Sequence, residues 1–356
     1  MRDFLEAFHV EGGPLWAAGP QTAILLEAAP LAGLGTVNRL LVAGVQQAAP
    51  TATATLDVDA TLVESHKDAT TVAYGGTRGY QPVLVLWAEQ DLILTDQFRD
   101  GQVLAGCGTV RVVEQAVVNV PQGVTQIRLR ADSALYETAV LRWCEDHQIA
   151  YAISTDLSAQ LKTELRRLPE TAWQVEREEP EAIWSWAEVA YVPDDGDHRK
   201  ARPCVRRYLA IRLQKRQGSL FADGSSVHYF AVVTNRTGDG LTLLRWHRAK
   251  AGTVEHTHHV LKNELAAAAL PSGKFGANAA WFRLNVLTYN LLTALKRLTL
   301  PGDLRTACPK RLRFLLFNTV GKVVAHARRT LLRLSAAFQH ALLVRVRSKI
   351  ARLAPA

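Results

Sequence analysis

Cysteine is scarce in this chain: there are four, at positions 107, 144, 204 and 308, and no two are close enough to form a CxxC pair. That spacing argues against a cysteine-built zinc site and predicts free thiols in a reduced, cytoplasmic protein. Long apolar runs are missing too. Even FLLFNTVGKVVAHARRTLLRL is broken by charge, so no stretch reads as a membrane span. The opening MRDFLEAFHVEGG lacks the sustained apolar core of a signal peptide. A GxxxxGK[ST] phosphate loop is absent, and the glycines of SGKFGAN follow no strand, which suits a helix–helix turn near DNA. No internal repeat is visible. Acidic residues vanish from the C-terminal end, with none after Asp303.

What is present starts with 356 residues that are 48% hydrophobic, enough for a large core and an expectation of two or three domains. The net charge is +9, and its distribution is uneven. Twelve of the 42 Lys/Arg and one of the 33 Asp/Glu lie from Pro301 onward, leaving 30 against 32 before it. The block Lys310, Arg311, Arg313, Lys322, Arg328, Arg329, Arg333, Arg345, Arg347, Lys349 and Arg352 reads as an electrostatic footprint for nucleic acid.

Periodicity predicts a helical segment over 1–50, then strands at Thr53–Val63, Pro82–Ala88 and Leu92–Phe98. Next come a helix over Gly108–Val118, a strand over Gln126–Ala131, a helix over Ala134–His147 and a strand over Ile149–Ser154. That order suits a ribonuclease-H-like α/β fold, a mixed sheet flanked by helices, whose first part is 51–159. Residues 160–240 read as a mostly β insertion that is not tethered by a linker. Residues 241–300, with helices at Thr253–Ala267 and Ala279–Leu298, complete the core. Residues 301–356 read as a basic helical tail, with Leu331, Leu334, Phe338 and Leu342 as its apolar stripe.

The chemistry lies in carboxylates on apolar strands. In TATLDVDATLV, Asp57 and Asp59 share a strand face, and they repel unless a cation or hydrogen bonds compensate. Asp132 falls just past the Gln126–Ala131 strand. Glu255 and Lys262, seven residues apart, share a helix face in AGTVEHTHHVLKNEL. Acids on two strands and a helix point to a divalent-metal site for phosphodiester chemistry. Plainer roles compete: a helix N-cap for Asp132, a loop hydrogen bond for Asp57 and a first-turn acid for Glu255. Glu255 with His256, His258 and His259 suggests zinc, but consecutive histidines cannot all face one ion. Trp246, Trp281, Phe282 and Tyr289 are candidates for stacking on a flipped base, although the last three have helical core spacing.

These segments resemble the DDE transposases of bacterial insertion sequences, in particular insertion-sequence family 1380, over nearly the whole chain. LDVDATLVES resembles that family's first-Asp strand, where Thr stands one residue beyond the Asp, which points to Asp59 ahead of the alternative Asp57. RADSALYETAVLRWC resembles its second-Asp segment, giving Asp132. In its signature Tyr-x2-Arg-x3-Glu-x6-Lys, Glu255 and Lys262 match the last two places, while Arg248 replaces Tyr and Ala251 replaces Arg. WHRAKAGTVEH, SGKFGANAAWFRLNVLTYNLL and KRLRFLLFNT also resemble the family.

The resemblance implies a transposase that cuts transposon ends and joins them to target DNA. It implies two Mg2+ (or Mn2+) ions on Asp59, Asp132 and Glu255, and a homodimer on double-stranded DNA. Lys262 is expected at the DNA near the cut, with Arg248, Lys250 or Arg245 serving the end phosphate. Lys274, Lys310, Arg311 and Arg313 extend the expected DNA contact. The chain starts at a segment that resembles the interior of longer relatives, so a missing N-terminal DNA-binding region is a further expectation. A nuclease of the same fold and a non-catalytic, DNA-binding remnant are the competing functions.

Overall fold

The computed structural model describes residues 1–11, 15–19, 22–25, 27–67, 70–73, 76–193, 206–216, 220–334 and 340–353. Its centre is a nine-stranded sheet. Five strands form the part that carries the candidate residues: β1 (Thr53–Ala60), β2 (Val83–Trp87), β3 (Leu92–Gln97), β4 (Gln126–Ala131) and β5 (Ala150–Ser154). Their spatial order is β3-β2-β1-β4-β5. β2 and β3 run antiparallel in a meander from β1, whereas β4 is parallel to β1 and β5 to β4. The expected strands and helices between Thr53 and Ser154 are present, with ends that differ by a few residues.

The sheet lies between two helical layers. One face of β1 sends Ala54, Leu56 and Val58 into a core shared with α1 (Ala29–Ala48), α2 (Thr109–Val118), α3 (Thr138–Asp146) and α4 (Ala159–Arg167). Leu84, Leu86 and Ile93 enter a second core against α7 (Phe275–Thr299) and α6 (His256–Asn263). Successive strand residues alternate faces, so Asp57 and Asp59 lie on the side of α6 and away from Leu56 and Val58.

The insertion is β-rich as expected, and it continues the same sheet. Beyond α4, strands β6 (Gln174–Glu178), β7 (Ala182–Val189), β8 (Arg207–Lys215) and β9 (Val227–Thr234) form an antiparallel array. β9 pairs with β5 from Ala152↔Thr234 to Ser154↔Val232. Ala187, Val189, Tyr208, Ala210, Ala231 and Val233 join the first core. The chain returns through α5 (Gly240–Arg248), whose Asp239 accepts the N–H of Thr242 as an N-cap.

Two regions depart from the expected helices. Within residues 1–50 a strand pair, Leu15–Gly19 with Thr22–Leu25, stands between a one-turn helix and α1. In the tail, β10 (Gly321–His326) and β11 (Arg329–Leu334) form a hairpin where helix was expected. Val323, Val324 and Thr330 are β-branched, which favours strand. Phe338 of the expected stripe lies outside the described residues. Leu342 packs from α8 (His340–Leu353) onto a small separate core around Leu300, Leu312 and Val346. No described helix is long and apolar enough to cross a membrane.

Candidate active site

Asp57 and Asp59 share a face and have different surroundings. Asp57 is fully buried and lies opposite Arg130 across the β1–β4 pairing. Arg130 Nε and Nη2 donate to its two oxygens at 2.6 and 2.7 Å, and Thr253 Oγ1 donates to Oδ2 as well. Arg130 Nη1 goes on to the Trp246 carbonyl at 2.5 Å. Burial pushes the Asp57 carboxyl upward, with Arg130 and Thr253 opposing it. Both carboxylate oxygens are therefore spent inside the protein.

Asp59, two residues on, is at the end of the strand and slightly exposed. Lys250 Nζ donates to its Oδ1 at 2.7 Å. His258 Nε2 stands 3.4 Å from Oδ2, close enough for charge attraction yet not aligned as a hydrogen bond. Both ring nitrogens of this buried histidine lack a hydrogen-bond partner. Burial works to raise the Asp59 carboxyl, and His258 and Lys250 together outweigh it, so the net shift is downward.

Asp132 follows β4 and caps a 3-10 turn, its Oδ1 accepting the Ala134 N–H at 3.1 Å. Burial raises its proton affinity first, Lys250 opposes, and the like charge of Asp59 adds to the rise. Asp59 and Asp132 thus stand at the carboxyl ends of two adjacent parallel strands, and the ammonium that binds Asp59 also acts on Asp132 through its charge. Ligands of open α/β sheets gather at such ends where the sheet changes direction, and β1 has an antiparallel neighbour on one side and a parallel one on the other.

Glu255 ends a π-helical turn, Ala251–Glu255, that leads into α6. Lys250, Val254 and His258 occupy its buried side, and Glu255 is exposed. Among the described residues, no three His, Cys, Asp or Glu side chains converge closely enough to hold a metal ion. The Asp59–Asp132 pair alone offers hard oxygen donors, and Mg2+ is commonly held by one or two carboxylates with waters and substrate phosphates completing its shell. The two aspartates fit such an ion by the chemistry of their oxygens, and Asp59 already holds a cation, the ammonium of Lys250, at 2.7 Å.

The cations around this pair are engaged inside the fold. Lys262 Nζ donates to Thr61 Oγ1 at 2.8 Å and to the Leu62 carbonyl at 3.1 Å, fixing the loop that leaves β1. Arg248 Nη1 binds both oxygens of Glu176 on β6, at 2.6 and 2.7 Å, with Arg245 at 4.0 Å from the same carboxylate. Lys274 pairs with Glu6 at 3.1 Å. Lys310, Arg311 and Arg313 are exposed. Trp246 carries the guanidinium groups of Arg236 and Arg130 at 4.2 and 5.3 Å from its ring. Phe282 and Tyr289 are core residues, and Trp281 Nε1 donates to the Ala266 carbonyl at 3.0 Å.

His247 is a further buried group of the site. Its Nε2 donates to the Ala131 carbonyl at 3.0 Å, next to Asp132, which requires a proton on Nε2. Burial brings its pKa down to about 4. Arg130, Thr253 and His247 escape a search for acids, and two of them carry a usable signal. Arg130 sits on a strand expected beside β1, two residues before Asp132, and Thr253 lies one turn after Ala249.

A family model described as Transposase DDE domain group 1 matches residues 21–355. No curated protein matches. Among solved structures, the chain is similar to the piggyBac transposase in a cryo-EM structure of its synaptic complex with hairpin DNA. That similarity has 11% identity and a TM-score of 0.36, and it covers 70% of this chain and 50% of that one. The chain spans half the length of that relative.

Proposed function

The chain belongs to the transposase DDE domain group 1 family, and from that premise we propose that it cleaves DNA at transposon ends and joins the freed strand to target DNA. The observation that carries the reading is the placement of Asp59 and Asp132 at the same ends of adjacent parallel strands, with Lys250 bound to Asp59. The order β3-β2-β1-β4-β5, with its antiparallel first half and parallel second half, supports a ribonuclease-H-like core. The resemblance to insertion-sequence family 1380 supports bacterial origin, a homodimer on the DNA and two Mg2+ ions.

When bound, the divalent ions supply Lewis-acid activation of a water or 3′-hydroxyl and stabilise the leaving oxygen. The rest falls to the chain. Asp59 and Asp132 present oxygens at the sheet edge, and Arg130 holds the β1–β4 floor rigid through Asp57. Lys250 binds Asp59 and opposes the rise in the proton affinity of Asp132, a role that a bound divalent ion would take over. Glu255, the third acid, is exposed here, and its entry requires a rearrangement of the π turn at the start of α6. Lys262 acts by fixing the loop beyond Asp59, from which its ammonium reaches DNA.

Magnesium-dependent cleavage and joining of a labelled transposon-end duplex tests this, with wild type beside Asp59→Asn and Glu255→Gln. Both variants should lose the joined product. Cleavage that survives Asp59→Asn would remove the site from this pair of strands. The exposure of Glu255 favours one second reading, a DNA-binding remnant without catalysis. End binding with no cleavage by the wild type would select it.

A further inference from the structure

The hairpin β10–β11 has no part in the site above, and its two faces differ in kind. The register pairs Lys322 with Arg333, Val324 with Leu331 and His326 with Arg329 on one face. Val323, Ala325, Thr330, Leu332 and Leu334 form the other. Every residue of both strands is exposed except Val324, which is half-buried. Directly opposed like charges weaken a strand pair, and Lys322 against Arg333 is such a pair. Ala327 and Arg328, at φ 48° and 61°, give the two-residue turn positive φ at both places without glycine, so Arg328 is held at the tip. No carboxylate side chain occurs from Leu304 to the end of the chain. Among the described residues, none of these four cations has an ion-pair partner. A second copy of the hairpin would bring more charge of the same sign.

We propose that the basic face of β10–β11, with Lys322, Arg328, Arg329 and Arg333, is a DNA-backbone contact that lies along the duplex as a two-stranded ribbon. A two-stranded ribbon fits the major groove of B-DNA, and cations spaced along it neutralise successive phosphates. The polyanion also removes the repulsion between Lys322 and Arg333. The proposal rests on the reading of the chain as a DNA-handling protein, and it does not depend on catalysis.

The test is the salt dependence of full-chain binding to a short duplex. Replacing all four cations by Ala should lower the magnitude of the slope of log K against log salt by about 3.6, at roughly 0.9 per phosphate contact. The Lys322→Ala/Arg333→Ala pair, which relieves a repulsion and so favours folding, should lower it by about 2. Val323→Ser/Leu332→Ser on the other face should leave the slope unchanged. Unchanged slopes in the basic-face variants, with binding retained, would overturn the ribbon contact and leave the transposase reading standing. An equal fall in the Val323/Leu332 variant, or its loss of a dimer in sedimentation while the basic-face slope holds, would assign the hairpin to a second copy. No duplex binding by the wild type would overturn both.

Discussion

Arg130 and Lys250 divide the aspartates of β1 between them, and the division decides which one remains available. Asp57 gives both oxygens to a guanidinium fork, whereas Asp59 is held by one ammonium at 2.7 Å. A flexible lysine is more readily displaced than a bidentate arginine, which favours Asp59 over Asp57 as the proposed metal ligand. Lys250→Met should therefore lower stability without metal, by about 2 kcal/mol, because half-buried Asp59 loses its charged hydrogen-bond donor and Asp132 a nearby positive charge. Millimolar Mg2+ should then restore more of the melting temperature in the variant than it adds to the wild type. An equal response of the two proteins would show that Lys250 does not occupy the cation position. His247 carries a second test at this scale. Its folded-state pKa, about 4, lies below the ordinary value of 6.5, so the unfolded chain binds the extra proton between those limits. Stability is then complete above pH 6.5 and falls as pH drops toward 4, by about 3 kcal/mol from this residue. Denaturant titrations of His247→Gln at pH 7 and pH 4 should show that much less acid sensitivity than wild type; parallel profiles would refute the assignment.

At the scale of elements, α7 closes the free edge of the sheet with side chains where a strand would use backbone. Asn290 Oδ1 accepts the Ile93 N–H at 2.8 Å, and its Nδ2 donates to the Ile93 carbonyl at 2.8 Å and to Asn38 Oδ1 at 2.7 Å. Arg283, two turns earlier on the same face, is buried between Asp96 and Glu27. Asn290→Leu leaves the Ile93 N–H and Asn38 Oδ1 without partners in a dry interior, a cost of about 2–4 kcal/mol. Urea unfolding measures it, and a loss below about 1 kcal/mol would mean that water or a shifted Asn38 replaces the contact. Side-chain links of this kind leave no periodic trace in a sequence, whereas strands do. Strands β1 and β4 were readable because apolar residues alternate with polar ones, and β2, β3 and β5 because short apolar runs stand between turn residues. The hairpin of the tail was not, since arginines and leucines satisfy both helical and strand periods there, and only β-branched Val323, Val324 and Thr330 spoke for strand. The two aspartates were legible as odd charges on apolar strands. The exposed bearing of Glu255 was not, because a π turn leaves no mark in residue spacing.

Across the whole molecule, the question is whether the insertion behaves as a unit of its own. Acidic patches between strand-like runs set it apart in composition. Its pairing argues the opposite. β9 is hydrogen-bonded to β5, and Tyr208, Ala210, Ala231 and Val233 share one core with Leu56, Leu129 and Ile153. Tyr208 also bonds Tyr136 at 3.0 Å, and Arg206 binds Glu145 of α3 at 2.8 Å, so polar links cross the same junction. Loss of β6–β9 would expose the β5 edge and a face of buried Tyr151 and Ile153, which a two-stranded or three-stranded fragment could not cover. The insertion and the α/β core should therefore unfold in one transition. Hydrogen exchange gives the cleanest measure: amides of β7 and β8 should open with the same free energy as those of β1 and β4, equal to the global value. If β7 and β8 exchanged through an opening several kcal/mol cheaper than that of β1, the insertion would be a separate folding unit docked on the sheet, and the continuity of pairing would not govern its stability.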